Sequence, residues 1–96
     1  MPTALWIAHV EVTDPVAYGR YAQAAGPAIA AHGGQFLARG GRHVQLEGRD
    51  RARNVVARFP SLQAALDCYR SAEYQAALAH AVGASIRDLV VVEEIG

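Results

Sequence analysis

Arg39, Arg58, His9 and Glu11 are the residues of this chain whose types and positions could do chemistry together. A guanidinium offers planar, paired donors to a carboxylate or an enolate. A histidine or a glutamate moves a proton near neutral pH. Glu47, at the far end of the glycine-bounded stretch 33–48, completes a candidate ligand-binding set of His9, Glu11, Arg39, Arg58 and Glu47. Such a set suits a cofactor-free site for a small anionic or phenolic compound. The competing reading is a charge network in which each arginine is neutralised by Glu11 or Glu47 inside an interface. Between the two lies a ligand that is bound without being transformed.

The other reactive types are read more plainly. Six of the nine arginines (39, 42, 49, 51, 53 and 58) fall in one stretch against only Glu47 and Asp50, which reads as an anion-attracting rim. For Arg49, Arg51 and Arg53 a solvated hairpin is the simpler role. Nine acids balance the arginines and lysine is absent, so no global field favours nucleic acid or an anionic membrane. Tyr18, Tyr21, Tyr69 and Tyr74 sit at helical spacing and read as packing residues with satisfied hydroxyls. His32 and His43 are placed at a helix end and a strand edge. His9 and Glu11 share a face but lack a third ligand, so no metal and no cofactor are expected. Cys68 has no cysteine partner, which makes it an inert thiol and fits a reducing, cytoplasmic setting. No apolar run is long enough for a membrane helix, and no signal core follows Met1.

The elements that must position these groups are legible from periodicity. Residues 4–12 alternate as a strand, with Trp6, Ala8, Val10 and Val12 on one face and Leu5, Ile7, His9 and Glu11 on the other. Asp14-Pro15 starts a helix whose stripe is Tyr18, Tyr21, Ala22, Ala25 and Ile29, with a kink or break expected at Gly26-Pro27 and a stop at Gly33. A second strand runs from Gln35, bends at Gly40-Gly41 and reaches Glu47. A turn at 48–51 leads to a third strand over 53–59. Ser61 and Ser71 cap two successive helical stretches that end at Gly83. A last strand covers 86–95, and its run of Leu89 to Val92 predicts a central place in the sheet.

Strand, helix, strand, strand, helix, strand is the split βαβ, ferredoxin-like order: α+β, βαββαβ, one domain over 1–96 with a four-stranded antiparallel sheet. Helices can cover one sheet face, which takes Trp6, Ala8, Val10, Phe36, Ala38, Val55, Ala57 and Phe59. Strict alternation then puts Ile7, His9, Glu11, Leu37, Arg39, Val56 and Arg58 on the open face. An open face this apolar predicts a homodimer packed sheet to sheet, with the polar residues enclosed in a cavity.

The chain also resembles domain-of-unknown-function family 1330, of the dimeric α+β barrel superfamily. The resemblance rests on Val12-Thr13-Asp14-Pro15 with Tyr18 and Tyr21, and on Gly33 through Gly41. Glu47-Gly48, Phe59-Pro60-Ser61 and Ser71-Ala72-Glu73-Tyr74-Gln75 complete it, in order along nearly the whole chain. It implies a ferredoxin-like protomer and a sheet-packed dimer, and no assigned activity. His80 stands where such proteins more often carry arginine.

Together these readings predict a homodimeric small-molecule-binding protein, open to being a cofactor-free enzyme for a small anionic or phenolic compound. A structural or interaction protein without a ligand is the alternative. A further alternative uses Pro2: removal of Met1 exposes a proline amine of the kind that tautomerases resembling 4-oxalocrotonate tautomerase employ as a base, with Arg39 as its partner.

Overall fold

The computed structural model describes residues 2–96. The elements are β1 (Ala4–Val12), α1 (Pro15–Ala31), β2 (Gln35–Arg39), β3 (Arg53–Phe59), α2 (Leu62–Arg70), α3 (Ala72–Ala81) and β4 (Ser85–Glu93). The four strands form one antiparallel sheet in the order β2-β3-β1-β4. All three helices cover the face that carries Trp6, Ala8, Val10, Val55, Ala57 and Phe59. This is the ferredoxin-like arrangement, with its second helix divided in two.

The helix boundaries follow from side-chain capping. Asp14 accepts from the backbone N–H groups of Val16 and Ala17 at 3.2 and 3.3 Å, and Pro15 fills the first helical position, where its missing N–H costs nothing. At the other end Gly33 takes φ +82°, the left-handed geometry that lets its N–H and that of Gly34 reach back to Ala30 and Ile29. Ser71 both ends α2 and starts α3. Its hydroxyl donates to the Cys68 carbonyl at 2.7 Å and accepts from the Tyr74 N–H at 3.2 Å. Buried alanines (Ala25, Ala28, Ala65, Ala77 and Ala81) let the helices lie close to the sheet. The volume between them is filled by Trp6, Phe59 and Tyr74, with ring centroids 5.5 Å apart for Trp6–Phe59 and 5.1 Å for an edge-on Trp6–Tyr74 pair.

The structure departs from the sequence expectation at four places. β4 is an edge strand, and β1 and β3 hold the centre. Its apolar residues on both sides reflect two functions: Leu89 and Val91 pack on the core, while Val90 and Val92 stay about half exposed on the open face. α1 runs unbroken through Gly26-Pro27. β2 ends at Arg39, and residues 40–52 form an exposed irregular connection, so Glu47 lies on a loop and not on a strand. The fourth departure matters most. A bulge in β2 breaks the alternation: Phe36 pairs with Ala57, but Ala38 pairs with Val56 and Arg39 with Val55. One extra residue reverses the faces that follow it. Ala38 therefore leaves the covered face, and Arg39 moves onto it.

Candidate functional site

The open face does not gather the residues proposed from the sequence. His9 pairs with Asn54 across the ladder and Arg58 with Leu5, four residues further along. That separation is about 13 Å at ~3.3 Å per residue. Arg58 and Glu11 each have local partners there. The Arg58 guanidinium donates to Glu94 through Nε at 2.7 Å and through its second nitrogen at 3.1 Å. Glu11 lies 3.7 Å from Arg49 and 3.8 Å from Arg51, and Arg51 also donates to Asp88 at 3.1 Å. His9 Nδ1 hydrogen-bonds the Asn54 side-chain oxygen at 2.6 Å. The Glu47 backbone carbonyl accepts from the Gln45 amide within the loop. The partners expected for Arg39 and Arg58 are Glu11 and Glu47; Arg58 instead meets Glu94, just past the end of β4, while Glu11 sits with Arg49 and Arg51.

A different cluster forms on the covered face, at the end of the sheet where α1 begins. Arg53 on β3 and Arg87 on β4 both stand opposite Val10 of β1. Arg39, turned inward by the bulge, stands beside Val55, which is two residues from Arg53 on the same side of β3. The three side chains edge a cleft between sheet and helix whose roof is Ala22, Ala25 and Gly26 of α1. The cleft holds about 370 Å³ of space counted to its open mouth, most of it too narrow for a water-sized sphere. It is a slot with room, as it stands, for little more than one water molecule, so a larger guest has to widen it.

Aromatic rings orient the guanidiniums. The Arg39 carbon Cζ lies 4.4 Å from the Phe36 ring centroid, that of Arg87 4.7 Å from Tyr21, and that of Arg53 5.8 Å from Tyr18. A cation over a ring face is held by the ring quadrupole and keeps its donors free at the edge. Among the described residues no carboxylate comes within 4.0 Å of any of the three, and none lines the cleft. Arg53 Nε and Arg87 Nε are buried without a hydrogen-bond partner among the described residues.

Behind Arg87 lies a pair of phenols. The Tyr21 and Tyr74 hydroxyls are 2.7 Å apart, and the same Arg87 nitrogen donates to Tyr21 at 2.9 Å and to Tyr74 at 3.2 Å. Burial is the main force pushing both phenols above their ordinary pKa, and Arg87 only partly counters it, so both stay protonated near neutrality. For Arg87 burial works against the charge, but the neighbouring phenolic oxygens outweigh it and the net direction is upward.

Arg39 is thus the only residue of the predicted set that enters this cluster. From sequence, Arg53 belongs to a solvated hairpin, Arg87 carries no distinguishing signature, and the tyrosines are packing residues. A signal was present: Arg53 shares the parity of Val55, Ala57 and Phe59, and Arg87 that of Leu89 and Val91, so both had to face the helices. The proline reading separates from Arg39 as well. Pro2 is six residues from Ala8, the residue level with Val55 and Arg39, or roughly 20 Å along the strand. Met1, whose removal that reading requires, lies outside the described residues.

Fold and cluster together define the class: a ferredoxin-like α+β protomer with an arginine-edged slot between its first helix and its sheet. The chain belongs to the family described as Domain of unknown function (DUF1330), whose model matches residues 3–95. No curated protein matches the chain. Among solved structures it is similar to a protein of unknown function from Rhodopseudomonas palustris, at TM-score 0.80 and 19% identity over 99% of this chain and 84% of that one. It is similar to SnoaB, a cofactor-independent oxygenase from Streptomyces nogalater, at TM-score 0.71 and 9% identity over 100% and 96% of the two chains. A dimeric ferredoxin-like protein of unknown function from Bacteroides fragilis superposes at TM-score 0.67 and 15% identity, over 96% of each chain. At these identities the likeness is one of fold. Among the described residues no helix is long and apolar enough to cross a membrane.

Proposed function

We propose that this protein binds a small, flat organic anion in the slot between α1 and the sheet. The observation that carries the reading is the set of three guanidiniums, Arg39, Arg53 and Arg87, with no carboxylate partner among the described residues. Positive charges left together in a half-buried cleft repel one another, and an anion removes that cost. The aromatic and alanine walls favour a planar apolar body over a sugar or a phosphate ester. A cofactor-free enzyme acting on a carboxylate or phenol of this kind uses the same groups, and the likeness in fold to a cofactor-independent oxygenase supports that extension.

The open sheet face has a separate role in this reading, as the seat of a homodimer. Its apolar residues Ile86, Val90, Val92 and Leu37 are 45–54% exposed in the protomer, and its charges are already paired with one another. A paired, apolar face is an interface more than a pocket. Dimeric neighbours of the same fold support it.

The test is a thermal-shift titration with benzoate and para-hydroxybenzoate on the wild type and on Arg39→Ala. Saturation near a hundred times Kd stabilises by about 2.7 kcal/mol, a shift of several degrees for a chain this size. The reading requires a wild-type shift that Arg39→Ala reduces strongly. Equal shifts in both proteins, or none with either compound, would remove the slot as a binding site.

A further inference from the structure

The two phenols behind Arg87 have one hydrogen more than they can use on each other, and its position is fixed by burial. Tyr21 and Tyr74 share a single hydrogen bond, so one hydroxyl donates and the other keeps its proton free. Both oxygens also accept from Arg87, which has no lone pair to offer in return. If Tyr21 donated, the spare proton would sit on Tyr74, which is fully buried among the rings of Trp6, Tyr69 and Tyr21 with no acceptor there. A buried donor left unmade costs about 1–3 kcal/mol. If Tyr74 donates, the spare proton sits on Tyr21, which lines the slot.

We infer that Tyr74 donates to Tyr21, that the Tyr21 O–H points into the slot as a donor without a protein acceptor, and that its acceptor is an oxygen of the bound molecule. This rests on the slot being the binding site and narrows what it takes. The ligand carries a carboxylate for Arg39 and Arg53 near the mouth and, at the other end of a flat body, a carbonyl, enolate or phenolate oxygen for Tyr21. Arg87 and Tyr74 both donate to the Tyr21 oxygen, which sharpens its hydroxyl as a donor and makes it strongest toward an oxygen that bears negative charge. The chemical class is a hydroxy- or oxo-substituted aromatic or enolic carboxylate, held as its oxyanion.

The probe is 4-hydroxy-3-nitrobenzoate, whose phenolate absorbs visible light, with 3-nitrobenzoate as the control lacking the second oxygen. At a pH near the probe's own pKa, binding to the wild type is expected to raise its phenolate-to-phenol ratio about tenfold, the equivalent of one strong charge-assisted bond. Tyr21→Phe, checked for folding by circular dichroism, is expected to lose most of that rise while binding 3-nitrobenzoate within about threefold of wild type. An unchanged ratio in Tyr21→Phe overturns the inference and leaves the slot intact as a site. Should that variant not fold, the wild type decides alone: phenolate binding about tenfold tighter than the 4-methoxy analogue supports the inference, and equal affinity overturns it. Failure of 3-nitrobenzoate to bind at all, or its equal binding to Arg39→Ala, removes the slot reading and the inference with it.

Discussion

Arg58 and Glu94 join across the open side of the sheet by two hydrogen bonds, 2.7 and 3.1 Å, passing over β1 at Leu5. Thr3 adds a hydroxyl donor to the same carboxylate at 2.5 Å. The Arg58 bond is the main reason the Glu94 pKa is held down, with Thr3 next. A carboxyl whose folded pKa is depressed contributes stability above its ordinary value, and loses it as pH falls through the folded value. The urea midpoint of the wild type is therefore expected to decline below about pH 4.5, the ordinary value for this side chain. Glu94→Gln should make that part of the decline shallower. An identical acid limb in the two proteins would show that the pair contributes nothing to folding.

Gly34 and Gly41 should respond oppositely to alanine. A Cβ on Gly34 would lie 2.5 Å from an Ile29 methyl, 2.8 Å from the Phe59 ring and 2.9 Å from the Ile29 carbonyl, where the turn after α1 presses on β3. Gly34→Ala is expected to cost about 1–3 kcal/mol in chemical denaturation, as overpacking does. Gly41, with nothing within 4 Å of its Cβ position, should accept alanine within about 0.5 kcal/mol.

Cys68 is fully buried, and burial pushes its thiol up to about 11, with the nearby Glu73 adding to the effect. Its hydrogen points at the Ala28 carbonyl, 3.7 Å away. Thiolate is the reactive form, so at pH 8 only about one molecule in a thousand is primed. Iodoacetamide should leave the native protein unmodified over a time in which the urea-unfolded chain labels completely, as mass spectrometry would record.

Val56 lies on the middle of the open face, paired with Ile7 and Ala38. A charge placed there loses its hydration if two sheets close on it. Val56→Asp is expected to halve the sedimenting mass at micromolar concentration with the far-ultraviolet spectrum unchanged. A wild type that already sediments as a monomer would end the sheet-to-sheet reading.

Most of the architecture follows from local signals. Asp14-Pro15, Gly33, Ser61 and Ser71 mark helix ends because capping is chemistry between residues near in sequence, and strict alternation places Trp6, Ala8 and Val10 indoors. The site was less legible, for two reasons. The bulge at Leu37 depends on how β2 seats against β3, and no residue type announces it, yet it decides which way Arg39 faces. The position of β4 depends on pairing across the whole chain, and without it Arg87 has no visible relation to Tyr21 or Tyr74. Apolarity on both sides of β4 was a sound observation about its two faces and a poor guide to its neighbours.

Pro27 gives the slot a further property. With no N–H, it leaves the Gln23 carbonyl without its helical donor, one turn from Gly26, the roof residue whose added Cβ would lie 3.7 Å from the Arg39 guanidinium. Ala22 and Ala25, the other roof residues, offer no bulk to brace this span. The ceiling over the arginines is therefore one backbone hydrogen bond short in its middle, although α1 stays helical throughout. A guest that widens the slot would meet its roof where α1 lacks a backbone hydrogen bond.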